Sequence, residues 1–305
     1  MTCTITGLSL IRKGFRNPKA HGYLVLYGVV IIWAGFALTI RAIGASALSP
    51  ADVALMRFVV PAVTLLAFLP RRWARLKEVR FSDGLMIWFG GVPFFFIATE
   101  GARTTSAAHV GALIAGTAPL SVALLGRFLD RRAIPRRQWM PLGLIVAGAI
   151  GIAAARGTEG MGESLKGFGF LAVASLLWGT YTLGVKRTGL DAIGNTLPLA
   201  LGSLVVLSFT LATGITPSHF GHFTFHQALP FLLIQGLGVG LLATVGYAFA
   251  ITRLGSAKSS AIGSLAPALA AILAVPVLGE SLGVITVLSI ALITLGVVLS
   301  NRPSA

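Results

Sequence analysis

The sequence has 305 residues, of which 55% are apolar and only 11% are charged. A soluble domain carries about 25% charged residues, so this composition excludes an ordinary soluble fold and indicates a polytopic membrane protein. The net charge of +15 is also a feature of some nucleic-acid-binding proteins, but the apolar runs leave too little soluble chain for such a site. Basic residues on loops beside a bilayer explain the charge, and no nucleic-acid partner is expected.

Ten segments are apolar and long enough to cross a bilayer as helices, which requires about 20 residues each. We number them spans 1–10, and in chain order they cover 22–42, 52–70, 84–101, 105–127, 139–155, 167–186, 196–215, 228–250, 257–278 and 282–300. Spans 3 and 4 are separated only by 102–104. The predicted fold is an all-α integral membrane protein with ten transmembrane helices, preceded by a cytoplasmic N-terminal tail at 1–21.

The distribution of Lys and Arg predicts how the chain is oriented. With the N-terminus in the cytoplasm, 19 of the 24 basic residues fall on cytoplasmic segments, four fall outside and one, Arg57, lies inside span 2. This bias follows the positive-inside rule and predicts a multi-pass protein of a bacterial-type inner membrane with both termini cytoplasmic. A signal peptide cleaved near 45–47 is the alternative interpretation of span 1, but the apolar stretch is longer than the usual signal-peptide core.

The two halves of the sequence contain matching motifs. In span 1, Trp33 is followed by small residues and, eight positions later, by Arg41. In span 6, Trp178 and Lys186 have the same spacing. Self-similarity of this kind indicates an internal repeat.

A second matching motif is an Ala-Pro pair, which ends at Pro119 in span 4 and at Pro267 in span 9. Each half is therefore predicted to be one five-helix unit, 22–155 in the first half and 156–305 in the second. Because five is odd, the second unit enters the bilayer from the opposite side, and the halves form inverted repeats. Secondary transporters commonly have this architecture, with the substrate bound between the repeats near the middle of the membrane. A duplication without alternating access is the other possibility.

Several short motifs occur in an order characteristic of one known family. They are the Trp33 and Trp178 motifs, Arg57-Phe58 in span 2, the Ser-Ala-rich starts of spans 4 and 9, Pro119, Pro267, and Leu278-Gly279-Glu280 at the end of span 9. Over nearly its full length the sequence resembles an EamA-type member of the drug/metabolite transporter superfamily. The resemblance implies an exporter of small metabolites, with amino acids, aromatic or neutral, as the expected substrates.

The acidic residues that end spans 4 and 9 depart from the repeat. Glu280 lies 13 residues after Pro267, whereas the residue 13 positions after Pro119 is Arg132 and the nearest acid is Asp130. The acidic end of span 4 is therefore a doubtful functional equivalent of Glu280.

Three polar residues are candidates for a vestibule on the outer side. Arg57 lies about five residues into span 2, Glu100 ends span 3, and His109 lies one turn into span 4. Arg57 could bind a substrate carboxylate through charge-assisted hydrogen bonds, or it could be tied to backbone carbonyls or to Glu100. Glu100 and His109 could also carry protons, although a histidine at this depth is often a solvated helix-end residue.

Four aromatic residues are candidates for the wall of a substrate cavity: Trp33, Trp178, Tyr181 and Tyr247. Each offers a flat apolar face and a polar tip, which suits an apolar or aromatic metabolite. Packing between helices is the alternative, because Trp33 and Trp178 fall in the middle of their spans.

Hinges are predicted where helices are interrupted, at Pro93, Pro119, Gly238 and Pro267. A proline removes a backbone hydrogen bond inside a helix and permits a kink there. Gly238 belongs to a glycine run, 236–240, for which close helix packing is the alternative use.

The motifs argue against an enzyme. The sequence contains no His-Glu-x-x-His motif and no nucleophile elbow, and it lacks Cys/His spacings typical of metal sites, so neither a cofactor nor a metal is expected. A multidrug or other metabolite carrier of the same fold remains an alternative, and a channel or an intramembrane enzyme a distant one. The expected partners are a small-molecule substrate and the lipid bilayer, with monomer or homodimer left open.

Overall fold

The computed structural model describes residues 18–155 and 161–301. Across these ranges the secondary structure is helical, without strands. Nine of the described helical segments are long and apolar enough to cross a membrane, and the tenth, Val284–Ser300, is apolar but has 17 residues. This architecture confirms the predicted all-α membrane fold. Residues 1–17 of the predicted tail and the start of the second unit at 156–160 lie outside the described residues.

The helices follow the predicted spans closely. They are Pro18–Ile43 in span 1; Pro50–Leu65, the 3₁₀ turn Leu66–Phe68 and Leu69–Lys77 in span 2; Phe81–Trp88 and Val92–Arg103 in span 3; Ala107–Ile114 and Ala118–Leu129 in span 4; Arg136–Ala154 in span 5; Met161–Thr188 in span 6; Ala192–Ala212 in span 7; Phe225–Phe231, the π-helix Leu232–Ala243 and Thr244–Leu254 in span 8; Ser256–Gly263 and Ala266–Leu278 in span 9; and Val284–Ser300 in span 10.

Spans 3, 4 and 9 are each built from two helices with a break between them. In each span a proline is the second residue of the second helix, namely Pro93, Pro119 and Pro267. The first turn of a helix tolerates proline because its N–H would have no partner within the helix. The prediction that these prolines interrupt helices is confirmed. Their action as hinges stays a prediction.

Spans 4 and 9, which correspond in the repeat, run in opposite directions beside each other. Glu280, just after span 9, accepts a hydrogen bond from the backbone N–H of Ala107, at the start of span 4. The first helix of span 4 also contacts span 9 just after its break, because a Cβ on Gly111 would lie 3.3 Å from Cα of Pro267. The antiparallel course of matched spans is what inverted repeats require.

Span 8 lies against span 2 through its glycines. A Cβ on Gly236 would lie 2.7 Å from the carbonyl oxygen of Met56, and a Cβ on Gly240 would lie 2.7 Å from that of Arg57. On the other side, a Cβ on Gly238 would lie 3.1 Å from Ile32 of span 1. Since no side chain fits these contacts, the glycine run serves close helix packing. The packing fixes the π-helix against the backbone that carries Arg57.

The packed core lies where the two halves meet. Large buried side chains there include Phe58, Phe94 and Phe95. Large apolar side chains on the periphery, such as Val63, Phe209 and Ile272, are instead exposed. In a bilayer such side chains face lipid, so the outside of the bundle and its core can both be apolar.

Candidate functional site

A chain of buried hydrogen bonds joins the two halves of the protein. Arg57 in span 2 donates from Nη1 to Oε1 of Gln235 in span 8 over 2.6 Å. Gln235 in turn donates from Nε2 to Oγ1 of Thr39 in span 1 over 2.7 Å, and the Thr39 hydroxyl donates to the carbonyl of Gly35. Arg57 is 6% exposed and Gln235 is 0% exposed. We call Arg57, Gln235 and Thr39 the Arg57 site.

Local folding places Arg57 at a fixed depth. Its helix begins at Pro50, and Ser49 caps it by accepting a hydrogen bond from the N–H of Asp52, whose carboxylate accepts one from the Ser49 N–H. This capping box fixes the start of the helix. Arg57 lies seven residues after Pro50, about 10 Å along the axis at 1.5 Å per residue.

Aromatic rings surround the guanidinium of Arg57. Its Cζ atom lies 5.2 Å from the ring centroid of Phe36, 5.9 Å from that of Phe58 and 5.8 Å from that of Phe95. A cation within about 6 Å of a ring centroid is attracted to the ring. The rings therefore stabilise the positive charge without supplying a negative one.

The aromatic surface continues from this site into span 6. Phe36 stacks on Phe94 at 5.9 Å, Phe94 contacts Trp178 at 5.3 Å, and Trp178 contacts Tyr181 at 4.9 Å between ring centroids. Tyr181 also packs on Gly90, where a Cβ would lie 2.6 Å from its ring. Three predicted cavity residues, Arg57, Trp178 and Tyr181, therefore share one region.

Trp33 and Tyr247 form a separate aromatic pair. Their ring centroids lie 4.9 Å apart. Gly263, next to the break in span 9, packs on Trp33, since a Cβ there would lie 3.0 Å from the ring. The two tryptophans of the repeat thus occupy two clusters, one beside the break in span 9 and one beside the break in span 3.

The contacts described for Glu100 and His109 do not include Arg57, and a vestibule shared by the three residues stays a prediction. Glu100 is exposed and pairs with Arg103 over 3.2 Å within the same helix. His109 is buried, accepts a hydrogen bond at Nδ1 from the Ser106 N–H, and packs edge-on against Phe168 at 5.3 Å.

A tie between the halves closes one end of the bundle. Both carboxylate oxygens of Glu280, after span 9, accept from the N–H of Ala107 at 3.0 Å, and Arg41 Nε of span 1 lies 3.6 Å from Oε1. We call this the Glu280 end.

The opposite end of span 4 carries a corresponding tie. Asp130 there pairs with Arg187 of span 6. Arg187 directly follows Lys186, the repeat partner of Arg41. Its Nη1 atom also lies 3.5 Å from Oδ1 of Asp83. We call this the Asp130 end. Asp130 thus pairs with a basic residue of span 6, as Glu280 lies near a basic residue of span 1, and whether the two acids are functionally equivalent stays open.

A second tie between the halves occurs at each end. At the Glu280 end, Asp52 accepts hydrogen bonds from the hydroxyl of Ser218 and the backbone N–H of His219, in the loop between spans 7 and 8. At the Asp130 end, Asp191 caps span 7 and receives Arg72, from the end of span 2, at 2.7 Å. The Arg72 guanidinium holds the pKa of the Asp191 carboxyl below its usual range.

Sequence reasoning missed Gln235 and Thr39, which complete the Arg57 site. A signal was present, because Gln235 is a polar residue inside an otherwise apolar span, and polar groups in hydrocarbon usually have a partner or a role.

Among residues 18–155 and 161–301, no group of three His, Cys, Asp or Glu side chains could hold a metal ion.

The fold and the buried polar site define a multi-pass membrane protein built from two repeats, the class to which many transporters belong. The model of the EamA-like transporter family matches residues 20–154 and again residues 165–302. The chain belongs to the EamA-like transporter family.

Individual relatives add the fold but no substrate. A protein of Clostridium kluyveri described as an uncharacterized transporter is 28% identical over 166 residues, covering 51% of this chain and 52% of that protein. The alignment thus spans about half the length of this relative. A protein of known crystal structure is 19% identical, with a TM-score of 0.58 over 92% of this chain and 95% of that one. At this identity the likeness shows the fold alone.

Proposed function

We propose that this protein is a secondary transporter that exports small metabolites, with neutral and aromatic amino acids as its substrates. The observation that carries the proposal is the Arg57 site. A charged side chain inside a bilayer-spanning segment is costly and usually marks a transport path. Arg57 is buried where spans of the first half meet span 8 of the second half, which is where carriers of this architecture bind their substrates.

Alternating access is the proposed mechanism. Spans 3, 4 and 9 are broken inside the bundle, and ties between the halves lie at both of its ends. Opening one end while the other stays closed would expose the site to one side at a time. The proposal places the protein in a bacterial-type inner membrane with both termini cytoplasmic. It gives no role in proton coupling to Glu100 or His109, because both are engaged at helix ends.

A carrier of cationic drugs is the competing function within the same fold. Arg57 argues against it, since a buried positive charge repels a cation at short range in a medium of low dielectric constant. The Trp33–Tyr247 pair is the feature that would suit an apolar drug.

The test is a metabolite screen followed by flux measurements. Cells that overproduce the protein should accumulate one or more amino acids in the medium. In proteoliposomes, the same compounds should show saturable uptake that increases when unlabelled substrate is present inside. Export of cationic drugs without any amino acid would contradict the proposal, and an ohmic current would indicate a channel.

A further inference from the structure

We propose that the Arg57 site binds a single substrate carboxylate, and that Gln235 is a positioning residue that holds Arg57 for it without neutralising its charge. The inference rests on the proposed transport function and narrows the substrate class. The ligand would be a monocarboxylate with a flat apolar group next to the acid.

The hydrogen-bonding capacity of Arg57 supports the first part. A guanidinium has five N–H donors, and within the described parts of the chain Arg57 makes one hydrogen bond, to Gln235, and no ion pair. The remaining donors suit a carboxylate, which a guanidinium can bind through two parallel hydrogen bonds.

The rigidity of Gln235 supports the second part. Its amide nitrogen is fixed by the Thr39 hydroxyl, which is itself tied to the Gly35 carbonyl, so the amide oxygen points at Arg57. Gln235 sits on the π-helix directly before Gly236, where the helix contacts the backbone of span 2. The amide therefore orients the guanidinium, and because the amide is neutral it leaves the positive charge of Arg57 in place. A glutamate of the same shape would pair with Arg57 and remove the net charge that attracts a carboxylate.

The surrounding rings supply the apolar half of the recognition. Phe36, Phe58 and Phe95 face the guanidinium, and the row from Phe36 through Phe94 leads to Trp178. Aromatic faces stabilise the cation without using its N–H donors. They also offer a surface on which an aromatic or branched group of the ligand can lie.

The test compares two probes of nearly the same shape, the anion 3-phenylpropionate and the neutral 3-phenylpropionamide, by ligand-induced thermal shift of the purified full-length protein. The wild-type protein should bind the acid roughly ten- to a hundredfold more tightly than the amide, the range expected for hydrogen bonds to a charged group. Gln235→Glu should remove this preference. Gln235→Met, similar in length but without charge or acceptor, should keep it while weakening both probes.

The matched control is Gln227→Glu, the same substitution at an exposed helix-capping position of span 8. Glutamate also serves as a cap at such a position. It should leave the preference unchanged. Equal binding of both probes by the wild-type protein, or a full acid preference in Gln235→Glu, would overturn the inference. If Gln235→Glu does not fold, Arg57→Gln decides, because a retained acid preference there would also refute it.

Flux measurements separate this inference from the transport proposal. If the protein exchanges metabolites saturably, but its preference for the acid is unchanged in Arg57 and Gln235 variants, it is a carrier and the proposed carboxylate site is wrong. Absence of saturable flux for every metabolite, with charge-selective binding intact, would overturn the transport proposal alone.

Discussion

The two ends of the bundle use corresponding elements but different chemistry. At the Glu280 end, one carboxylate accepts the N–H of Ala107, and Arg41 lies 3.6 Å away. At the Asp130 end, Arg187 contacts both Asp130 and Asp83. The second ties differ in the same way: Asp52 is held by neutral donors, whereas Asp191 is held by a charged arginine.

The repeat preserves the positions at which the halves meet. The side chains and backbone groups at each end determine how strongly that end is held closed. The Asp130 end depends on several ion pairs, and the Glu280 end depends more on hydrogen bonds to backbone and hydroxyl groups. Partly exposed ion pairs each contribute about 0–1 kcal/mol, but a group of them adds up. We therefore expect the Asp130 end to open less readily, and its closure to weaken more in salt.

Each end can be followed with one reporter cysteine in a chain whose Cys3 is replaced by serine. Ser121→Cys is buried between spans 4 and 6 and reports opening of the Asp130 end. Ala274→Cys is buried against Leu38 near the Glu280 end. Labelling rates with a polar thiol reagent then measure the opening of each end separately.

The largest effect is expected from Arg187→Gln, because it removes contacts with two carboxylates. Loss of two ion pairs of up to about 1 kcal/mol each should raise labelling of the Ser121→Cys reporter roughly two- to tenfold. The matched control is Lys186→Gln, since Lys186 forms no ion pair among the described side chains. Equal labelling of the two variants would show that the ion pairs of Arg187 do not hold the Asp130 end closed.

Pro119→Ala and Pro267→Ala should have the next largest effect, and each should act mainly at its own end. Both variants should fold, because alanine in the first turn of a helix introduces no strain, and both should slow turnover about two- to fivefold by stiffening a break. Pro119 lies in the span that ends at Asp130, and Pro267 in the span that ends at Glu280. Turnover and reporter labelling at wild-type rates in both would contradict the hinge interpretation. Pro198→Ala, inside the continuous helix of span 7, is the control.

Glu280→Gln should have a smaller effect than Arg187→Gln, since glutamine still accepts the hydrogen bond from Ala107. Only the interaction with Arg41 is lost, and its atoms are 3.6 Å apart. Labelling of Ala274→Cys should rise less than twofold. Glu100→Gln, which alters an exposed pair within one helix, should leave labelling unchanged. If labelling rose more in Glu280→Gln than in Arg187→Gln, the Glu280 end and not the Asp130 end would be the more strongly closed.

The smallest effect is expected from acid. Because the Asp191 pKa is lowered below 3.8 in the folded protein, mainly by Arg72 with a smaller contribution from Arg75, its ion pair stabilises the fold above the unfolded pKa. That contribution is lost as pH falls below about 4 through the folded pKa. Asp191→Asn should abolish this part of the pH dependence of thermal stability. An identical acid profile in the variant would show that the tie contributes nothing.

The sequence predicted the spans and their breaks, because apolar length and proline act locally. It could not predict the partner of Arg57, since Gln235 is 178 residues away in sequence and only the packed fold brings the two together. Nor could strict spacing predict the ion pair between Asp130 and span 6. The ion pair with Asp130 is made by Arg187, the residue after Lys186 of the motif. The π-helix also escaped prediction, because its glycines fit ordinary helix packing equally well.

The proposed role of Arg57, substrate binding between the repeats, can be measured as counterflow of labelled L-phenylalanine and L-leucine in proteoliposomes. Wild-type protein, Arg57→Gln and the exposed control Arg103→Gln are compared at equal reconstituted amounts. We expect saturable, trans-stimulated uptake for wild type and Arg103→Gln, and uptake at least about tenfold lower for Arg57→Gln. Equal uptake by Arg57→Gln and wild type would show that Arg57 does not bind the substrate.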